Sequence, residues 1–311
     1  MTVTPVVNPT STTRIVPYLS NDMFKNHSMR GVPVNSLVAN GQPQDQDAAL
    51  AAYIEQATAM MDDWLSTSLA ASIDVESGPV NVRDGYINFQ PKLRPVIALL
   101  AFSYGPALGQ LSAYTSLDGA SVQDNTVRVP LGPTGNWMSN QGPLQLGPAA
   151  VPMDRGWGQW TICNGFPVTW LTQAESQGAV LIHVADTTGI LAGNTQLTIQ
   201  AGQSRFRFTA GAVSTAGSSG FGTGPGTVAC PALPYDVQNQ AAYPTYVTGL
   251  PGSVIQAAVL GTRALIKQTS AGNLTAATIG GSRTRDKDPL NAGDDLAMMY
   301  RLLNSYQVLS A

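Results

Sequence analysis

Charged residues are scarce in this sequence, and their scarcity limits the classes of protein to which the chain can belong. They make up 11% of the 311 residues, with a formal net charge of −3, whereas an average soluble domain carries about 25%. Tight DNA binding needs a basic patch or stripe, and the charge balance argues against one. Because 43% of the residues are apolar, the composition is nevertheless that of a folded chain.

Cysteines and long apolar runs are scarce as well. The two cysteines, Cys163 and Cys230, are too few for a disulfide framework, so we expect buried free thiols. The longest apolar run, PVIALLAF from Pro95, is far shorter than the roughly 18–20 residues of a membrane span. The N-terminus has neither the basic start nor the apolar stretch of a signal peptide. These absences predict a protein that is made and kept in a cytoplasm, away from membranes.

Motifs that mark catalysis are missing from the sequence. It has no P-loop, dinucleotide fingerprint, nucleophile elbow or metalloprotease helix. The two histidines, His27 and His183, have no cysteine or histidine at ligand spacing, and His183 is typical of a satisfied strand histidine. The adjacent acidic pairs Asp62–Asp63 and Asp294–Asp295 diverge by about 100° on a helix, so neither can share a proton. We therefore expect no enzyme, no catalytic residue, no metal and no cofactor.

The middle of the chain is rich in turn formers and alternating apolar residues, which predict strands. The chain has 31 glycines and 21 prolines, and low charge with many turn formers favours a largely β protein whose surfaces meet other protein. Asp84–Gly85 is a hairpin signal between two alternating runs. From Gly178 to Gly211 the alternation predicts three or four antiparallel strands, with turns at Gly189 and at Gly193–Asn194.

Three helices are predicted from apolar residues at steps of three and four. They cover about Asp45–Leu69, Gly252–Gln268 and a stretch from Asn291, where Asn291 and Asp294 resemble a capping box. We expect Trp64 and Leu65 to pack against the second helix. The predicted helical core consists of Tyr53, Ile54, Ala57, Met61, Trp64, Leu65, Leu265 and Ile266.

The order of these elements predicts an α+β fold, because the helices flank the strands instead of alternating with them. The predicted extended N-terminal arm covers residues 1–19.

Three parts of the sequence carry a family resemblance. The first is QDAALAAYIEQATAMMDDWLSTSL, followed by hairpin strands and PKLRPVIALLAFSYG; the others are LPGSVIQAAVLGTRALIKQ and DPLNAGDDLAMMYRLLNSYQVL. In this order they resemble the head–tail connector (adaptor) proteins of tailed bacteriophages, particularly phages of actinobacteria. The resemblance covers roughly residues 15–130 and 248–309. Small members of the family have only a short connection at residues 132–247, where VADTTGILAGNTQLTIQAG is similar to a β module common in phage structural proteins.

The resemblance implies an antiparallel helical bundle, made of the long N-terminal helix plus two C-terminal helices, with a large inserted antiparallel β domain. The implied parts are a helical core with a β-hairpin at residues 20–131 and 248–311 and the β insertion at residues 132–247.

The resemblance also implies a structural role in the virion. Family members form a ring, usually of twelve copies, beneath the portal at one capsid vertex, so the expected location is the head–tail junction after assembly in the host cytoplasm. The implied partners are further copies of the chain, the portal protein and a head–tail stopper or tail terminator protein. Double-stranded DNA would pass through the lumen without sequence-specific binding.

The charged C-terminal segment is the predicted portal contact. Eight charged residues lie between Arg283 and Arg301, whereas the 150 residues from Ala101 to Leu250 contain ten. Mixed charge favours register and specificity over raw affinity, and the apolar face of the last helix is expected either at the joint or in the subunit's own bundle. The predicted docking residues are Arg283, Arg285, Lys287, Asp294, Asp295, Leu296, Met299 and Leu303.

Two other interpretations stay open. One is a tail-tip or host-recognition binding module, in which the β insertion and the tryptophans of RGWGQW contact a surface glycan. For Trp157 and Trp160, however, anchors in a core or an interface are favoured over a sugar platform. The other is an enzyme such as a cell-wall hydrolase, which the lack of a convergent acid, base or metal cluster disfavours.

Overall fold

The computed structural model divides the chain into two compact units. It describes residues 3–5, 16–28, 31–35, 37–114, 116–123, 126–131, 155–201, 204–215, 222–239, 244–277 and 292–306. One unit, here called the sheet unit, comprises Met1–Thr12, Ala71–Gly165 and Ala311. The other, the mixed unit, comprises Thr13–Ala70 and Phe166–Ser310. The sheet unit is therefore inserted into the sequence of the mixed unit.

The sheet unit is built from one curled antiparallel sheet. Its strands are β1 (Val3–Pro5), β2 (Ser72–Arg83), β3 (Tyr86–Phe89), β4 (Val96–Gly105), β5 (Ser112–Ala113), β6 (Ser121–Gln123), β7 (Thr126–Pro130) and β8 (Arg155–Asn164). They are ordered β5-β4-β8-β2-β3-β7-β6, with β1 paired to β2. The β2–β3 hairpin is confirmed, since Asp84 and Gly85 have φ values of 54° and 78°, as the favoured two-residue turn requires.

Aromatic rings fill the buried face of this sheet, and glycines make room for them. The Phe89 ring stacks on Phe102 at 5.1 Å and on Trp160 at 4.3 Å between centroids. Gly158 on β8 faces the same cluster, where a Cβ atom would lie 2.8 Å from Val80 Cγ1. The glycines of RGWGQW therefore permit close packing on one face of the strand. The alternate residues Trp157 and Gln159 are exposed on the other face.

The mixed unit contains the helices and two smaller sheets. The helices are α1 (Asn21–Lys25), α2 (Pro43–Leu65), α3 (Gly252–Ala277) and α4 (Ala292–Leu303), followed by a 3₁₀ turn at Asn304–Tyr306. The strands are β9 (Val168–Trp170), β10 (Leu181–Val184), β11 (Gln196–Ala201), β12 (Ser204–Thr209), β13 (Val213–Thr215), β14 (Gly226–Ala229) and β15 (Tyr246–Thr248). They form antiparallel sheets ordered β12-β11-β15-β9 and β10-β14-β13, which share one apolar core.

Local sequence explains where the helices begin and end. Ser20 Oγ accepts the Met23 N–H at 3.1 Å and caps α1. Pro43 opens α2, and the Asp45 carboxylate accepts the Gln42 N–H at 2.8 Å. Ser66 ends α2 in a left-handed conformation with φ 56°. No helix in the described ranges combines the length and apolar character needed to cross a membrane.

The predicted fold class is wrong. Strands contain more residues than helices, and the molecule is not a helical bundle that carries an inserted β domain. β8 was expected inside the insertion, but it pairs with both β2 and β4 at the centre of the large sheet. The physical reason is that periodicity reports local structure only, whereas the pairing of β8 joins residues about 50 to 90 positions apart. The expectation of buried free cysteines is confirmed for Cys163 and Cys230.

Candidate interaction surface

Polar contacts join the C-terminal helix α4 to α3 near both ends of α4. Arg263 and Lys267 on α3 bond to Asp295 at the start of α4. Tyr306 OH, just after α4, lies 3.0 Å from Ser253 Oγ at the start of α3. The two helices are therefore antiparallel, and residues 292–306 form part of the subunit's own bundle.

Between the two ends of α4, a glycine permits three helices to approach one another closely. A Cβ atom at Gly261 on α3 would lie 2.8 Å from Met299 Sδ on α4 and 3.4 Å from Ala57 Cβ on α2. Met299 and Ala57 are both fully buried. Gly261 thus provides the notch that Met299 fills, and this contact joins α2, α3 and α4 in one core.

A buried carboxylate ties α4 to two basic side chains. Asp295 is buried, and its Oδ2 accepts Arg263 Nε at 2.8 Å and Lys267 Nζ at 2.9 Å. Arg263 Nη2 also donates to Asp295 Oδ1. Burial alone raises the pKa of Asp295, but the hydrogen bonds and charges of Arg263 and Lys267 outweigh it, so the pKa lies below its ordinary value. Asp295 is therefore an internal tether and not a surface charge.

The predicted docking residues differ in their exposure to solvent, and some lie outside the described residues. Arg283, Arg285 and Lys287 lie outside the described residues, and their role stays a prediction. Asp294 is exposed, whereas Leu296 packs against the core from a partly buried position. Met299 and Leu303 are fully buried in the subunit's own bundle. The exposed face of α4 consists instead of Asp294, Ala297, Met298 and Arg301.

Most of the predicted helical core residues are buried. Ile54, Ala57, Met61, Leu65, Leu265 and Ile266 have at most 8% of their surface exposed, and Tyr53 packs against the cluster from a partly buried position. Trp64 is 40% exposed and contacts Tyr300 of α4, with ring centroids 4.3 Å apart. Neighbouring helical positions diverge by about 100°, so Trp64 and Leu65 cannot both face the core.

A second polar cluster, which the sequence did not reveal, lies at the end of α2. Tyr18 is fully buried and donates its hydroxyl proton to Asp62 Oδ1. The Leu69 N–H donates to the same Tyr18 oxygen at 2.6 Å. Burial raises the pKa of Asp62 to about 6 in spite of the bond from Tyr18. Burial and the Asp62 charge also raise the pKa of Tyr18. Since these groups are separated by 44 residues, no local motif marked them.

Two other residues that the sequence singled out are explained by their contacts. His183 donates its backbone N–H to Glu175 Oε1 at 2.9 Å, and its Nδ1 lies 2.9 Å from the same oxygen. Trp160 is fully buried, and its Nε1 donates to Glu76 Oε2 at 3.3 Å. Trp157 lies on the opposite face of β8, so the two tryptophans form no common platform.

The strand β4 leaves apolar side chains partly open in the sheet unit. Residues 96–100, the sequence VIALL, are all partly exposed. Val96 and Leu99 pack against the aromatic core. Ile97 and Leu100 lie at two register irregularities in the pairing with β8. A strand that is apolar on both faces is typical of one covered on both sides.

Comparison with known proteins identified no relative. No family model, curated protein or solved structure matches the chain. Within the described residues, no group of three or more histidine, cysteine, aspartate or glutamate side chains is arranged to hold a metal ion.

Proposed function

We propose that the chain is a structural subunit, not an enzyme, of a ring at the portal vertex of a tailed bacteriophage. The ring is built from copies of this chain, and rings of the adaptor family usually have twelve copies. It joins the portal protein to a head–tail stopper or tail terminator protein at the head–tail junction. Double-stranded DNA passes through its lumen without sequence-specific contacts, in keeping with the sparse charge of the chain.

The packing of α2, α3 and α4 is the observation that supports this proposal. The helical stretches that resemble the adaptor family are residues 46–69, 250–268 and 288–309, and about 180 residues separate the first from the second. The hairpin strands and residues 91–105, which share the resemblance, belong to the sheet unit. The described residues of the helical stretches nevertheless meet in one core, in which Gly261 brings Ala57 and Met299 together. The meeting of these stretches in space supports their assignment to one adaptor-like unit.

The partly exposed apolar strand β4 also favours assembly. Ile97 and Leu100 are outside the aromatic core and are partly exposed. Apolar side chains that a subunit leaves partly exposed are candidates for contact with another chain. In a ring of identical subunits, every copy offers the same surface to a neighbour.

Electron microscopy and native mass spectrometry of the purified full chain test the proposal. We expect closed rings with an open centre and a mass that is an integral multiple of the subunit mass. The double variant Ile97→Glu, Leu100→Glu should remain folded by circular dichroism and lose the rings. Leu108→Glu, at a 52% exposed site in the same unit, is the matched control and should retain them. A wild-type chain that stays monomeric at every concentration would contradict the proposal.

Docking on the portal is assigned to the basic residues Arg283, Arg285 and Lys287. Truncation before them is a poor test, because it also removes Met299 and Leu303 from the core. Replacement of the three basic residues by serine should instead slow assembly onto isolated heads and weaken its salt dependence, since rim charges mainly set the encounter rate. Arg301→Ser on the exposed face of α4 is the control. Unchanged rates and salt dependence for the triple variant would remove these residues from the docking site.

A further inference from the structure

Within the part of the chain that the structure describes, the strand β12 has an open edge, and it carries two exposed arginines. It is the terminal strand of the sheet β12-β11-β15-β9. Arg205 and Arg207 lie on it two positions apart, and both are exposed. Among the described residues, neither side chain is hydrogen-bonded or ion-paired to an acidic group.

The backbone at these same two residues faces away from β11. Ala201 and Ser204 face each other in the register, and Ala210 N–H donates to Thr195 O at 2.8 Å, towards the strand that pairs with β12. Since successive residues direct their N–H and C=O groups to opposite sides of a strand, the even-numbered residues 204–210 bond towards β11. Arg205 and Arg207 therefore direct their backbone groups to the open edge.

The charge of Arg205 is felt by a neighbouring histidine and is not neutralised by the facing strand. His27, after α1, lies close enough that the Arg205 charge, after the larger effect of burial, keeps the pKa of His27 below its ordinary value. On the same face of the sheet, the residues opposite Arg205 and Arg207 are Gln200 and Thr198, which are uncharged. The positive charge at this edge is therefore not balanced by the cross-strand neighbours.

We propose that this edge binds an extended acidic segment of another protein, which adds to the sheet as a further strand. Backbone groups of Arg205 and Arg207 pair with the segment, and the two guanidinium groups meet carboxylates at alternate positions. Alternate side chains of a strand repeat every 6.4–6.8 Å or so on both partners, so one spacing serves both arginines. This binding does not require that the chain assembles into a ring.

The alternative explanation is that the arginines only protect the edge from aggregation, as charged residues on edge strands do. The two explanations differ in what they require of a partner. Protection requires charge alone, whereas strand addition requires charge, alternate spacing and free backbone groups in the bound segment. A synthetic peptide can supply or lack each of these three features separately.

The test uses the full chain and a fluorescent ten-residue peptide in which Glu alternates with Thr and Val. Fluorescence anisotropy at low ionic strength should show binding that weakens with salt. A Gln-for-Glu peptide, a peptide with its Glu residues adjacent, and a peptide N-methylated at the edge-facing residues should each bind about tenfold more weakly or not at all. The variant Arg205→Ser, Arg207→Ser should lose about tenfold in affinity, in the range of two lost ion pairs. Arg83→Ser, Arg128→Ser is the control and should bind normally.

Three outcomes would overturn the proposal. Equal binding of the N-methylated peptide would show that charge alone attracts the acidic chain. No binding of the alternating peptide, together with aggregation of the Arg205→Ser, Arg207→Ser variant, would show that the arginines only protect the edge. Self-association of the wild-type chain that this variant abolishes, without peptide binding, would make a second copy of the chain the occupant.

Discussion

Two buried carboxylates, one in each unit, accept hydrogen bonds from different kinds of donor. In the sheet unit, Glu76 is fully buried and accepts the backbone N–H groups of Lys92 and Leu93 at 2.9 and 3.0 Å, as well as Trp160 Nε1. In the mixed unit, Asp295 is satisfied by the basic side chains Arg263 and Lys267. The first set of donors is neutral and the second is charged.

The local backbone explains the donors of Glu76. The loop between β3 and β4 has N–H groups that no sheet ladder uses, and Lys92 and Leu93 donate theirs to Glu76. Asp295 lies in the first turn of α4 and accepts instead from Arg263 and Lys267, which reach it from α3. The second arrangement therefore requires complementary residues on a neighbouring helix, about 30 positions away in the sequence.

The largest effect is expected from Trp160→Ala in the sheet unit. The change removes a fully buried ring and a donor to Glu76, and it should cost about 3–5 kcal/mol. Hydrogen exchange measured by mass spectrometry should show lost protection in β2, β4 and β8. Trp157→Ala, on the exposed face of β8, is the control and should cost less than about 1 kcal/mol. If exchange in α3 rises equally, the two units unfold together and the comparison between them fails.

A smaller effect is expected from Asp295→Asn in the mixed unit. It removes the charge that Arg263 and Lys267 share, and it should cost about 1.5–3 kcal/mol, measured by urea unfolding. Asp294→Asn, one position earlier and exposed, should change stability by less than about 0.5 kcal/mol. Because the pKa of Asp295 is lowered in the folded state, its contribution is present above pH 4 and is lost as the pH falls below that value. Equal effects of the two substitutions would contradict the tether.

The smallest effect is expected from Asp62→Asn, and it should appear as a change in pH dependence. The pKa of Asp62 is raised in the folded state to about 6, so the folded chain binds more protons than the unfolded chain between about pH 4 and 6. Stability of the mixed unit should therefore rise as the pH falls through this window, by about 1–2 kcal/mol once solvent screening is allowed for. The Asn variant should lack this rise in thermal unfolding, whereas Asp63→Asn should retain it. A rise of equal size in the Asp62 variant would assign the effect to another group.

Local features of the fold were predictable from the sequence, and its long-range pairing was not. The Asp84–Gly85 hairpin and the start of α2 near Asp45 follow from turn and cap chemistry that acts over a few residues. The pairing of β8 with β2 and β4 has no local signal, because each strand alternates in the same way whichever partner it has. The low charge and many turn formers did favour a largely β protein, but the family resemblance directed the predicted architecture towards a helical bundle.

The candidate site shows the same limit. Met299 and Leu303 were recognisable as one apolar face of a helix, but periodicity does not say whether that face meets another subunit or the chain's own bundle. Asp295 and Asp294 are equivalent in the sequence, and only the positions of Arg263 and Lys267 make one of them internal. The Tyr18–Asp62 pair was missed because a buried tyrosine gives no sign of its acceptor.

The sheet unit leaves and rejoins the mixed unit at neighbouring points. Ala70 and Phe166 form a parallel bridge, and the Phe166 N–H donates to Leu69 O at 2.8 Å. Most of the unit is one uninterrupted stretch, residues 71–165, and the remainder is residues 1–12 and Ala311. An exchange of residues 71–165 for another segment would therefore leave Ala70 and Phe166 of the mixed unit in place, but the new segment would have to supply a strand that pairs with β1, as β2 does.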